Sequence, residues 1–253
     1  MQNTTLQTAA TLALGKFMCV SSQFCEDHLM LLFKVLETSH EPAVRSNIVI
    51  TLGDLAVCFS NIMDENSDRL YAGLHDKDLT VKKNTLMVLT HLILNGMIKV
   101  KGQLGEMAKC LGDEDKRISD LAHLFFTELS TKDKQIYNNL PDIISHLSMG
   151  AHAVDEDTFA KSIRFIFGFV DKKREAEVIV EKLCQRFRVA PEPRQWRDIA
   201  FCLSLLPFNS EIAVRRLVEG LPFYQDKLHD EIVFKRFQEI LTKVCHPLRQ
   251  RAR

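Results

Sequence analysis

The sequence predicts an all-α protein: an α-solenoid, a superhelical stack of antiparallel helical hairpins. Three observations carry that expectation. An amphipathic stretch from Pro42 to Phe59, with Val44, Ile48, Leu52 and Leu55 on one face, returns 37 residues on as Val81, Thr85, Leu89 and Leu92, and again as Ile118, Ala122, Phe126 and Leu129. The approach to each helix repeats too. Glu41, Asp78 and Asp115 stand in register, where an acid caps free N–H groups at the positive end of the helix dipole. Arg45 and Lys82 follow in register, with Ser119 in the third copy. Finally, only 10 of 253 residues are Gly and 7 are Pro, and no stretch alternates as a strand does.

Taken in order, Thr4–Val20 reads as a helix with Leu6, Ala9, Ala10, Ala13, Leu14 and Phe17 inward. No partner helix precedes it, so the chain reads as a slice of a longer protein. Glu26–Glu37 and the turn through Ser39, His40 and Glu41 lead into the Pro42 helix, whose proline suits a first turn. Asn66–Leu74 and the turn His75–Asp78 lead into Leu79–Leu94. Gln103–Leu111 and the turn Gly112–Asp115 lead into Lys116–Leu129. Lys134–Leu147 contains Pro141, which should kink or split it. Ser148–Asp155 is the most loop-like segment, and an insertion near 148–156 accounts for a spacing that lengthens before Phe159. The 37-residue spacing then resumes at Trp196 and Val233, giving Arg174–Phe187 with Pro193–Leu205, and Ser210–Leu221 with Asp230–Cys245. The count is about six hairpins plus the first helix, read as one segment over residues 1–253.

A hairpin of this size cannot stand alone. Five or six large apolar side chains per second helix supply roughly 10 kcal/mol of gross burial. Ordering about 35 residues costs several times that in backbone entropy. Neighbours must therefore cover both faces, which gives local contacts and a long wall suited to gripping a partner.

Composition excludes several function classes. The 33 basic and 33 acidic residues cancel, so no global basic field announces a nucleic-acid binder. The seven cysteines form no CxxC and read as buried free thiols, not a disulfide framework or zinc site. No apolar run reaches the roughly 20 residues of a membrane span. There is no HExxH, Walker loop, GxSxG or glycine-rich phosphate loop, so no enzyme, cofactor, metal or small-molecule substrate is expected. Met63, Met87, Met97 and Met107 read as core filler. Two basic groups remain as candidate contacts for duplex DNA phosphates or an acidic partner. Lys99 and Lys101 lie in the loop MIKVKGQ, and Arg186, Arg188, Arg194 and Arg197 bracket a turn. A solvated edge is the alternative for both.

The acidic turn followed by VR resembles the HEAT repeat. Within that class, VRSNIVITLGDLAVCF, VLTHLILNGMIKVKGQ, LPDIISHLS and VEKLCQRFR resemble the family of the non-SMC HEAT subunit of condensin I, toward its C-terminal part. The likeness runs from the first helix to about Leu228 and is weakest from His229 onward. KVKG, where the condensin II counterpart would carry KWKG, favours condensin I. The resemblance implies a scaffold that binds the kleisin subunit and the SMC ATPase heads and helps hold DNA during mitotic chromosome condensation. It also implies residence in the nucleus and on chromosomes, with a cytoplasmic pool. A transport or vesicle-coat adaptor, or a phosphatase or kinase scaffold, are the rival readings of a HEAT stack.

Overall fold

A computed structural model of the chain describes residues 3–98, 103–132, 135–150, 153–170 and 172–251. Among these residues every regular element is helical, in a HEAT-repeat arrangement. In chain order the helices are α1 (Thr4–Met18), α2 (Ser22–Thr38), α3 (Pro42–Cys58), α4 (Ser60–Glu65), α5 (Ser67–Tyr71), α6 (Leu79–Leu94), α7 (Leu104–Lys109) and α8 (Lys116–Ser130). They continue as α9 (Gln135–Ser148), α10 (Glu156–Phe167), α11 (Lys173–Arg186), α12 (Pro193–Leu205), α13 (Glu211–Glu219), α14 (Leu221–Tyr224) and α15 (Glu231–Arg251). Short 3-10 turns end α5, α7 and α14. The chain divides into two compact units, residues 1–129 and 130–253.

In the first unit α1, α3 and α6 lie side by side, with α2 against α3 and α5 against α6. The fully buried side chains include Phe33 of α2 and, in α3, Ile48, Leu52 and Leu55, the face that the 37-residue pattern marks as inward. The first helix departs from expectation. Leu6 and Phe17 are each 67% exposed, and Ala9, Ala10 and Ala13 are exposed with them, while Gly15 and Met18 are buried. Close approach explains the reversal. A Cβ on Gly15 would meet Thr51 Oγ1 and Cγ2 at 2.5 Å, so α1 turns its side-chain-free face to α3. Gly53 gives α3 the same closeness to α6, since a Cβ there would meet Val88 Cγ1 at 2.8 Å.

Other boundaries move for local reasons. α2 starts at Ser22, four residues before the expected Glu26, because Ser21 Oγ accepts from Phe24 N at 3.4 Å. α4, a single short turn of helix after Phe59, has no counterpart in the sequence reading. Some methionines and cysteines also fall elsewhere. Met63 and Met107 are core, but Met87 is half exposed; Cys58 is exposed and Cys19 half-buried, while Cys25, Cys110, Cys184 and Cys202 are buried and free.

In the second unit α9, α11 and α13 form one row, and α10, α12 and α15 the other. Phe159, Phe187, Leu140 and Ile163 are fully buried between them. Pro141 does not split its helix. α9 runs unbroken from Gln135 to Ser148, held by buried Leu140, Ile143, Ile144 and Leu147 on both sides of the proline. The expected Ser210–Leu221 helix does break, ending at Glu219 before Gly220, with Pro222 in the first turn of α14.

Candidate partner-contact surfaces

The acidic turns hold two aspartates with divided work. Asp76 Oδ1 accepts from Asp78 N at 2.8 Å, and Asp78 Oδ1 accepts from Thr80 N at 2.9 Å and Val81 N at 3.2 Å. One repeat later Asp113 Oδ1 accepts from Asp115 N at 3.0 Å, and Asp115 Oδ1 accepts from Arg117 N at 2.9 Å and Ile118 N at 3.3 Å. The second aspartate is thus the cap, as expected for Asp78 and Asp115. Glu41 makes no side-chain cap bond; its carboxylate is one methylene farther from the N2 and N3 amides than that of an aspartate.

The first aspartate is a rung between repeats. Arg45 Nε and Nη2 donate to Asp76 Oδ2 at 2.7 Å and Oδ1 at 2.9 Å, and Lys82 Nζ donates to Asp113 Oδ2. Burial pushes the Asp76 carboxyl up, but the Arg45 hydrogen bond, the Asp78 amide and the guanidinium charge outweigh it and hold the group below the usual range.

The four arginines singled out in the sequence do not gather into one free patch. Arg197 stands one residue after Trp196, as Arg45 stands after Val44, and it is a rung. Its Nε and Nη2 donate to Asp230 Oδ2 at 2.9 and 2.8 Å, while Asp230 Oδ1 caps α15 through Ile232 N and Val233 N. Arg194 Nη2 donates to Val154 O, and its Nε lies 3.7 Å from Asp198 Oδ2. Arg186 Nη2 lies 3.4 Å from Asp142 Oδ1. Arg188 is exposed; its backbone N–H donates to Gln185 O at 3.1 Å, and its side chain has no ion-pair partner among the described residues. Lys99 and Lys101 lie outside the described residues.

Two surfaces escaped the sequence reading. Arg164 of α10 and Arg236 of α15 each sit over the Phe201 ring of α12, at 5.2 and 5.1 Å from its centroid. A buried aromatic thereby fixes two cationic heads on neighbouring second helices. The usable signal was a basic residue inside a helix, whereas attention to basic turns passes it over. In the first unit Ile50 and Met87 are both about half exposed and 37 residues apart, and they flank a groove of about 310 Å3 with Val57 and Val88. Leu124, another 37 residues on, is exposed as well. Reading Met87 as core hid this repeat of outward apolar side chains.

Asp198 is a buried and incompletely partnered carboxyl of the second unit. Its Oδ2 has no hydrogen-bond partner, and burial first of all, opposed by Arg194 and aided by the charge of Glu156, raises its pKa to about 6. The folded state holds this proton more tightly than the unfolded state. The favourable contribution is therefore complete at acid pH and is lost as pH rises through about 6. Asp198→Asn is expected to stabilise the second unit by about 2 kcal/mol near pH 8 and by almost nothing near pH 4. Urea unfolding followed by the fluorescence of Trp196, the sole tryptophan, measures it; an equal effect at both pH values would contradict the assignment.

Comparison with known proteins comes to the same place as the motifs. Residues 43–204 match the family described as non-SMC mitotic condensation complex subunit 1. Condensin complex subunit 1 of Xenopus laevis is 49% identical over 239 residues, 94% of this chain and 17% of that protein. Its Saccharomyces cerevisiae counterpart is 50% identical over 215 residues, 85% of this chain and 18% of that protein. The Homo sapiens counterpart is 45% identical over 242 residues, 96% of this chain and 17% of that protein. The chain thus spans about a sixth of the length of these relatives.

Proposed function

This chain belongs to the family of the non-SMC mitotic condensation complex subunit 1, and on that footing we propose that it is a non-enzymatic HEAT scaffold segment of condensin I, from the C-terminal part of the subunit. Its partners are the kleisin subunit and the SMC ATPase heads, and it helps hold duplex DNA during mitotic chromosome condensation in the nucleus and on chromosomes, drawn from a cytoplasmic pool. The carrying observation is near-50% identity to condensin complex subunit 1 over 94% of this chain.

The work is mechanical. The rungs Arg45–Asp76, Lys82–Asp113 and Arg197–Asp230 fix three second helices, α3, α6 and α12, against the turn that follows, so those repeats move with their neighbours and partners meet a preset surface. Of the basic candidates that the structure describes, Arg188 is the phosphate contact, whereas Arg186, Arg194 and Arg197 would have to exchange intramolecular partners first; Lys99 and Lys101 are phosphate contacts on the sequence reading alone.

Tagged chain recovered from dividing cells is expected to bring down an SMC pair and a kleisin. Recovery of transport receptors or phosphatase subunits in their place would refute the condensin reading. For DNA, Lys99→Glu/Lys101→Glu is expected to weaken duplex binding and lower the slope of log affinity against log salt by about 2, near one for each phosphate no longer neutralised. An unchanged slope removes that loop from the DNA interface.

A further inference from the structure

A cavity of about 330 Å3 opens in the second unit between α9, the end of α11 and the start of α12, lined by Ile144, Ser145, Arg186, Val189, Gln195 and Ile199 among others. That volume is at the small end of the roughly 300–1,000 Å3 that ligand pockets occupy, enough for one large side chain and the backbone beside it. Its walls are chiefly apolar, and Val189, 73% exposed, stands at its mouth.

Four polar side chains interrupt the apolar lining; Ser148 Oγ donates to Ile144 O, and the other three each lack something. Gln195 is only 6% exposed, yet its Oε1 has no hydrogen-bond partner; Ser145 Oγ is also buried and unpartnered. An acceptor left so costs about 1–3 kcal/mol, which a backbone N–H brought into the cavity would recover. Arg186 is largely withdrawn from water, and burial lowers its pKa against the opposing pull of Asp142. Its one described counter-charge is Asp142, 3.4 Å away and itself 60% exposed. Only one of the guanidinium's five N–H donors faces Asp142, so a carboxylate on a bound segment could take donors that this pair leaves open.

We infer that this cavity is an anchor site for an extended acidic peptide segment of a partner protein. A leucine-sized side chain fills the apolar floor, the adjoining backbone N–H donates to Gln195 Oε1 with Ser145 Oγ beside it, and a neighbouring carboxylate pairs with Arg186. The fold presents no sheet edge among the described residues, so strand addition is not open to a peptide here. The inference does not depend on which complex the chain enters, and its failure would leave the condensin assignment untouched.

The test uses the 253-residue chain with labelled isoleucine methyls and three fluorescein-tagged peptides: a central Leu followed by two Glu in a Gly/Ser frame, the same with Leu→Ser, and the same with both Glu→Lys. The first peptide is expected to shift the Ile144 and Ile199 methyls saturably. Loss of the Leu anchor should weaken it about thirtyfold, as for a hot-spot side chain. Reversal of the acidic pair should weaken it about tenfold. Arg186→Gln should erase the preference for Glu over Lys while leaving the Leu dependence intact, with the melting curve of each variant confirming the fold. Still methyls at millimolar peptide, equal binding of the Ser peptide, or displacement of the first peptide's shifts by a duplex DNA would overturn the inference.

Discussion

Replacing Arg45 by Met lowers the stability of the first unit by about 3 kcal/mol at neutral pH, because removal of one partner strands a largely buried carboxylate. The two side chains are 15% and 13% exposed, too enclosed for water to replace the missing bonds fully. Asp76→Asn, which keeps the bond with Asp78 N but drops the charge, should cost less. The double variant Arg45→Met/Asp76→Asn should recover much of the loss, since it removes the stranded charge while its amide oxygen still accepts from Asp78 N. The pH dependence has a definite sign. The folded Asp76 carboxyl titrates below its unfolded value, so its contribution is complete above about pH 4 and is lost as pH falls through the lower folded value. The gap between wild type and Arg45→Met should therefore narrow on acidification. Hydrogen exchange read on α3 and α6 measures the effect in the correct unit; a gap independent of pH would show that the rung contributes through packing alone.

Replacing Gly53 by Val is expected to cost about 2–3 kcal/mol through overpacking, with the damage confined to the α3–α6 contact. Its Cβ would come to 2.8 Å from Val88 Cγ1 and 3.3 Å from Cγ2. The obstacle is the branched end of one side chain, so Val88→Ala in the same chain should restore more than half of the loss. A non-additive double-mutant cycle on this pair is the decisive measurement. If Gly53→Val were neutral, α3 and α6 would not approach as closely as described. Because the same groove carries Ile50 and Met87, the cycle also reports whether the spacing of two second helices sets the shape of that surface.

Much of the second helices was legible in the sequence because a repeated 3.6-residue face leaves a periodic trace. The Pro193–Leu205 helix has the expected limits, and Asp78 and Asp115 cap as the register implies. Arg197 shows the same register overlooked: aligned on Trp196 it falls at the Arg45 position, yet its place beside three other arginines suggested an open basic patch. Composition of a turn says how much charge is present; pairing depends on which acid the next repeat delivers.

The all-α class, the 37-residue unit, the aspartate caps and, through four strings, the family came from the amino acids alone, because each is written in local spacing or in residue identity. Packing settled the rest: which face of α1 is covered, that Met87 points outward, that Arg164 and Arg236 are aligned by Phe201, and that Gln195 and Ser145 are left unpartnered in an apolar cavity. Periodicity marks apolar faces without naming the neighbour that covers them. Gly15 let a backbone, and not a row of leucines and alanines, make the closest approach.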